Sequence, residues 1–301
     1  MFKLRIALPL LAIWGFAQAD TLTIDHAMGS TELDAPAVRV VTLYQGATDA
    51  AVALGITPVG VVDSWVEKPM YQYLRDELEG VAHVGLETQP NLEEIAALNP
   101  DVIIAAKMRH EAVYDQLNQI APTIAHETVF QFKETLDLVA AATGRTDAAE
   151  QWHQNWDARI AEFQQKVAEL DTIDWPQQVA LLNFRNDHAR IYYSSFAGNI
   201  LNELGFERPP AHQEDVWGVK LTSKESIPAM NADVFFIFMT ETDATVMENY
   251  QEWTSHPLWN TLDAVRNDQV YRVNEVDWNM GGGPIAAQRM VDSVFEHYGL
   301  D

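Results

Sequence analysis

A ten-residue stretch of this chain comes back little changed 132 residues later: EEIAALNPDV, from Glu93 to Val102, returns as ESIPAMNADV, from Glu225 to Val234. Six positions are identical, pairing Glu93 with Glu225, Ile95 with Ile227, Ala97 with Ala229, Asn99 with Asn231, Asp101 with Asp233 and Val102 with Val234. Each copy reads as a short helix, a turn and a buried strand, which is half of a parallel crossover unit. Such a unit cannot bury its apolar faces alone, so one copy in each half predicts two similar α/β lobes with a crevice between them.

The remaining sequence alternates in the same way. RVVTLY (39–44), PVGVVD (58–63), VAHVG (81–85), DVIIAAK (101–107) and PTIAHET (122–128) read as extended, and the stretches between them read as helices, including PMYQYLRDELE (69–79). The connections are short, which points to parallel pairing with crossovers. A helix then ends at Gly144, and residues 147–170 follow with no Gly or Pro and with Trp152, Trp156, Ile160, Phe163 and Val167 on one stripe. At 1.5 Å per residue this second helix spans roughly 36 Å, enough to run the height of a lobe. QVALLNF (178–184), RIYYSS (190–195), DVFFIFMT (233–240) and QVYRVN (269–274) restart the strands, and PIAAQRMVDSVFEHYG (284–299) closes the chain as a helix. The expected fold is therefore α/β: two Rossmann-like lobes with mainly parallel sheets, over 20–146 and 171–301, joined by one long interlobe helix over 147–170.

Met1 to Ala19 has a basic start at Lys3 and Arg5, an apolar run and an A-x-A ending, the layout of a cleaved signal peptide. Its removal leaves 282 of 301 residues, and takes 19 basic residues to 17 against 44 acidic, a balance of −27. So acidic a chain argues against nucleic acid and against anionic membranes as partners. The absence of cysteine excludes disulfides and an N-terminal lipid anchor on Cys. The expectation is a periplasmic, soluble monomer that is not a lipoprotein and does not insert in a membrane.

Catalytic signatures are absent. There is no G-x-S-x-G elbow, Walker loop or G-x-G-x-x-G after a strand, and the nine histidines show no i,i+2 or i,i+4 pair. The chain is expected not to be an enzyme; a secreted α/β hydrolase is the competing class, and it lacks a nucleophile with its base.

The order RVVTLYQGATDAAVALGITPVGVVD, VGLETQPNLEEIAALNPDVII, a long helix, HPLWNTLDAVRNDQVYRVN and GGPIAAQRMVD resembles the periplasmic substrate-binding proteins of iron-siderophore ABC importers. The likeness runs from about Arg39 to Leu300, and KMRHEAVYDQLNQIAPTI (107–124) is similar to the branch that takes ferric citrate and related citrate-based or hydroxamate siderophores. The resemblance implies a receptor that carries a ferric siderophore to the transmembrane subunits of an ABC permease. It places Glu93 and Glu225 at the positions where an acidic residue on each lobe meets permease arginines. No intrinsic cofactor is implied and no protein metal ligand, because the siderophore fills the iron's own coordination sphere. Haem and cobalamin binders share the superfamily, and a haem binder would draw an axial ligand from a residue such as Tyr44 or His110.

In an α/β fold the ligand lies at strand C-termini. A bulky anionic ferric complex calls for guanidinium groups and aromatic walls. Tyr44, Gln45, Trp65, Lys107, Arg109, Arg185, Trp217 and Trp278, several of them at strand ends and the last two in loops, are the expected ligand contacts, with Arg190 and Tyr192 as secondary candidates. Glu87 departs from hydroxamate-binding relatives that carry arginine there. Residues Gly281 to Gly283 read either as a close backbone approach or as a plain loop before the last helix.

Overall fold

The computed structural model describes residues 21–214 and 216–300; the leader expected over 1–19 lies outside the described residues. Two strands, β1 (Leu22–His26) and β2 (Gly29–Leu33), form an antiparallel hairpin beside the first lobe. The first main sheet holds β3 (Val40–Thr42), β4 (Gly60–Asp63), β5 (Ala82–Leu86), β6 (Gln89–Pro90), β7 (Val102–Ala106) and β8 (Thr123–His126) in the order β6-β5-β4-β3-β7-β8. All its pairings are parallel except β5 with β6. All five residues of β7 are buried, the pattern of a strand covered on both faces.

The second sheet runs β11-β10-β9-β12-β13, from β9 (Val179–Phe184), β10 (Ala189–Tyr192), β11 (Gly218–Leu221), β12 (Val234–Phe238) and β13 (Val270–Arg272). Its β9, β12 and β13 are parallel, whereas β10 is antiparallel to both neighbours. The reason is the four-residue connection Arg185 to His188, closed by Arg185 N–H donating to the His188 carbonyl at 2.9 Å; a parallel return needs a crossover of a dozen residues or more.

The repeated sequence is repeated structure. Ile95 and Ile227 are both fully buried. Asp101 accepts from the N–H groups of Val38 and Arg39 at 2.9 and 2.7 Å, and Asp233 accepts from Gln178 N–H at 2.7 Å, so each aspartate ties its own strand to the start of the neighbouring one. The helices differ in pitch. Leu92–Ala97 is α-helical, but Lys224–Met230 is wound as a tighter 3₁₀ segment, because Pro228 replaces Ala96 and removes a helical donor.

The long helix spans Thr146–Ala168, and its five stripe residues are all buried. Trp152 and Trp156 stack at 5.3 Å, and Phe132 meets both edge-on and Phe196 at 5.5 Å, so the helix is cemented to Phe132–Thr143 on one side and Phe196–Leu204 on the other. Further along, Phe163 packs on Phe206 and Phe295. One helix thus touches both halves of the chain. No helix among the described residues is long and apolar enough to cross a membrane.

One sequence expectation is corrected here. PMYQYLRDELE forms only a single 3₁₀ turn, Gln72–Leu74, because Arg75 donates to the carbonyls of Met70 and Glu67 and Glu67 caps Gln72 N–H, satisfying groups that a helix would have paired internally.

Candidate functional site

A cleft of about 430 Å³ opens where the two sheets face each other. Its near wall comes from the C-terminal ends of the first sheet: Gln45 after β3, Trp65 after β4, Glu87 after β5, Arg109 after β7, and Val129 with Phe130 after β8. Its far wall carries Arg185 after β9, Arg190 and Tyr192 on β10, Ser194, Ser195 and Trp217. The floor is Asn279 to Gly282, the end of a wide helical turn of π pitch, Val276–Met280, and the glycines beyond it. Strand ends converging from two lobes are where an α/β fold holds a ligand.

The near wall is organised by Glu87, only 4% exposed. Its carboxylate accepts from Arg109 Nε at 3.1 Å, from Trp65 Nε1 at 3.2 Å and from the Gln45 backbone N–H at 3.3 Å. Burial pushes the Glu87 carboxyl above the usual glutamate range, and the Arg109 guanidinium pulls against it. The terminal nitrogens of Arg109 have no partner among the described residues.

On the far wall Arg190 is set in place by a relay. Asp187 accepts from His188 Nδ1, and His188 Nε2 accepts from Arg190 Nε at 3.0 Å. The Arg190 guanidinium lies 5.5 Å from the centre of the Trp217 ring, which meets Tyr192 edge-on at 5.7 Å, a cation–π and aromatic cluster. Arg185 Nε is buried with no hydrogen-bond partner among the described residues, a donor left unused. Trp65 and Trp217 are 44% and 45% exposed, the two exposed tryptophans among the described residues, and they line facing walls of one cleft. Exposed aromatic surface concentrated in this way marks a place that a ligand covers.

Glycine shapes the floor. A Cβ on Gly46 would meet the Gly282 carbonyl oxygen at 2.5 Å, and one on Gly283 would meet the Asp49 side chain at 2.4 Å. Gly282 has φ +66°, a conformation glycine adopts freely. The glycine run is therefore a close approach of the floor to the first helix, Gln45–Ala53, and not a plain loop.

Of the residues expected from sequence, Gln45, Trp65, Arg109, Arg185 and Trp217 come together around the cleft, with the secondary pair Arg190 and Tyr192. Three expectations are corrected. Tyr44 is wholly buried with its hydroxyl on Thr135 at 3.0 Å. Trp278 is also wholly buried, donating to Ser293 at 2.9 Å and packed on Phe236 at 4.6 Å. Lys107 turns aside to pair with Glu127 at 3.1 Å. A strand end fixes where the backbone is, but the next side chain points either into the crevice or back into the core. His110 is buried as well: its Nδ1 accepts from Ala106 N–H at 3.0 Å and its Nε2 donates to the Glu87 carbonyl at 2.8 Å. With both ring nitrogens committed, and Tyr44 in the core, neither named haem ligand faces the cleft. Among the described residues no cluster of side chains fit to hold a metal ion occurs.

Glu87 is the functional residue that the sequence left without a role. The legible clues were its departure from the arginine of some hydroxamate binders and its place after a strand, level with Arg109. Val129 and Phe130 gave the same positional clue after β8.

Glu93 and Glu225 are exposed, each in the first turn of its segment behind a capping side chain: Asn91 accepts from Glu93 N–H at 3.2 Å, and Ser223 from Glu225 N–H at 3.3 Å.

Two facing α/β lobes, a continuous bridging helix and a cationic, aromatic crevice define a bilobal binding protein. A family profile described as periplasmic binding protein matches residues 40–276, and this chain belongs to that family. It is 47% identical over 264 residues to the achromobactin-binding periplasmic protein of Dickeya dadantii, with 87% of each chain covered. It is 32% identical to the Fe(3+)-citrate-binding protein YfmC of Bacillus subtilis, over 86% of this chain and 80% of the other. The crystal structure of Staphylococcus aureus SirA complexed with staphyloferrin B superposes with a TM-score of 0.89 and 44% identity, covering 93% of this chain and 99% of that one.

Proposed function

We propose that this protein is a receptor that captures a ferric siderophore of the carboxylate-rich, anionic type in the interlobe cleft and hands it to an ABC permease. The single observation that carries the reading is the placement of Arg109 on one wall and Arg185 and Arg190 on the other, flanked by Trp65 and Trp217, in a chain of net charge −25. Guanidinium groups match carboxylates two donors at a time. Cations gathered in one crevice of so acidic a molecule select an anion there. Relatives named for achromobactin, ferric citrate and staphyloferrin B support the same class.

Glu93 and Glu225, one on each lobe, supply two like-placed carboxylates for a permease of two similar subunits, where they favour encounter and register. The basic and apolar leader pattern of Met1 to Ala19 fits delivery to the periplasm. The lobes are taken as 20–146 and 171–301 about the helix of 147–170, although the last helix, Pro284–Tyr298, also packs on the first lobe through Asp49.

Calorimetric titration with ferric citrate, a citrate–hydroxamate siderophore, a plain ferric hydroxamate, haem and cobalamin tests the ligand class. Binding confined to the carboxylate-bearing ferric complexes supports the proposal; binding of haem or cobalamin alone rejects it.

A further inference from the structure

Among the described residues that line the cleft, Glu87 is the one acidic side chain, and its position is that of a ligand carboxylate. It holds Arg109 by Nε, so the guanidinium can offer a ligand only its terminal nitrogens, and it fixes the Trp65 ring by Nε1. Its main chain is pinned too, by His110 Nε2 on the Glu87 carbonyl. Among the described lining residues the four charged side chains, Arg109, Arg185, Arg190 and Glu87, sum to +2 where three arginines alone would give +3.

We propose that Glu87 is a positioning and specificity-determining residue: it orients Arg109 and Trp65, and as a resident carboxylate beside them it discriminates against the most highly charged ferric chelates. The inference rests on the ferric-siderophore reading and names the ligand property that the cleft measures. Two unit charges a few ångströms apart at the effective dielectric near a protein surface change an equilibrium by on the order of tenfold or more. A buried carboxylate next to an incoming anion also takes up a proton more readily, so discrimination should fade as pH falls. Among the described residues, the titratable and charged groups around Glu87 are Arg109 and His110 after β7, Tyr44 after β3 and Tyr71 after β4, with Arg185 and Arg190 across the cleft and Glu275 beside Tyr71 and Arg185. His110 is held neutral by its two committed nitrogens, with burial pushing its pKa down, and burial pushes both tyrosines up. Burial raises the pKa of the Glu87 carboxyl, so falling pH favours its neutral form.

The test compares wild type with Glu87→Gln, using ferric citrate and an uncharged ferric trihydroxamate as probes between about pH 5 and pH 7.5. The ratio of the two proteins' affinities at each pH cancels any protonation of the chelate. The expected result is that Glu87→Gln gains on the order of tenfold for ferric citrate relative to the uncharged probe at about pH 7.5, and that this gain shrinks toward unity in acid. A ratio flat with pH, or an equal loss for both probes, overturns the proposal and leaves Glu87 a structural residue only. If the variant does not fold, calorimetry of wild type with ferric citrate at about pH 6, in buffers of different ionisation enthalpy, reads proton uptake directly; no uptake overturns it. If wild type binds ferric citrate and these signatures are missing, this inference alone fails. If wild type binds no carboxylate-bearing ferric chelate, the functional reading fails and takes it along.

Discussion

Asp49, on the first helix, accepts a hydrogen bond from the N–H of Ile285, 236 positions later, at 2.7 Å, and a second from Ala286 at 3.0 Å. One side chain of the first lobe thereby caps the opening turn of the last helix, a favourable place for a carboxylate. The Tyr73 hydroxyl donates to the same group at 2.7 Å. Asp49 is fully buried, and removing it orphans three donors. Asp49→Ala should destabilise the fold by about 3–5 kcal/mol, read as a lower midpoint in urea.

Burial pushes the Asp49 carboxyl up to about 7. Because the folded-state value is raised above the unfolded one, the protonated group favours the fold at low pH. That contribution is complete below the ordinary aspartate range and is lost as pH rises through about 7. Wild-type stability should carry a downward component over that window, and Asp49→Asn should remove it. Urea midpoints measured between about pH 4 and pH 8 check the slope.

The cleft arginines should separate binding from folding. The Arg109 side chain is 31% exposed, Arg185 is half-buried, and both line the cleft rather than the core. Arg109→Ala and Arg185→Ala should each weaken an anionic ferric chelate by about 1.5–3 kcal/mol, the worth of a charge-assisted hydrogen bond. The thermal midpoint should stay within a few degrees of wild type in Arg185→Ala and fall further in Arg109→Ala, which leaves the buried Glu87 carboxylate without its cation.

Gly46→Ala should damage the site from behind. The added methyl meets the Gly282 carbonyl at 2.5 Å, so the floor must move. Overpacking of this kind costs about 1–3 kcal/mol, and here it should appear both in stability and as weaker ligand binding in the same titration.

Glu93→Ala and Glu225→Ala should leave ligand affinity unchanged, since both carboxylates are exposed and neither residue lines the cleft. Transport should fall in each and most in the double variant, measured as ligand-stimulated ATP hydrolysis by the reconstituted permease.

Much of the architecture was legible because it rests on period and repetition. The pairs Ile95/Ile227 and Asp101/Asp233 share burial and bonding as they share sequence, and the stripe from Trp152 to Val167 is a single 3.6-residue face. The arginines could be found because a charge at a strand end has few other reasons to be there. What escaped was decided by contacts distant in sequence. Whether Tyr44 turns to Thr135 or to the crevice depends on a helix 91 residues away, and Trp278 is drawn into the core by Ser293 and Phe236. Glu87 was hidden for the same reason, since its role exists only once Arg109, Trp65 and Gln45 surround it.

The most direct test of the central claim is tryptophan fluorescence on titration with ferric citrate, in wild type and in the Trp65→Phe, Trp217→Phe double variant. The cleft account requires saturable quenching in wild type that is largely lost in the double variant, because Trp65 and Trp217 are the tryptophans that face the ligand. Quenching of equal depth in both proteins, or none in wild type, would contradict it.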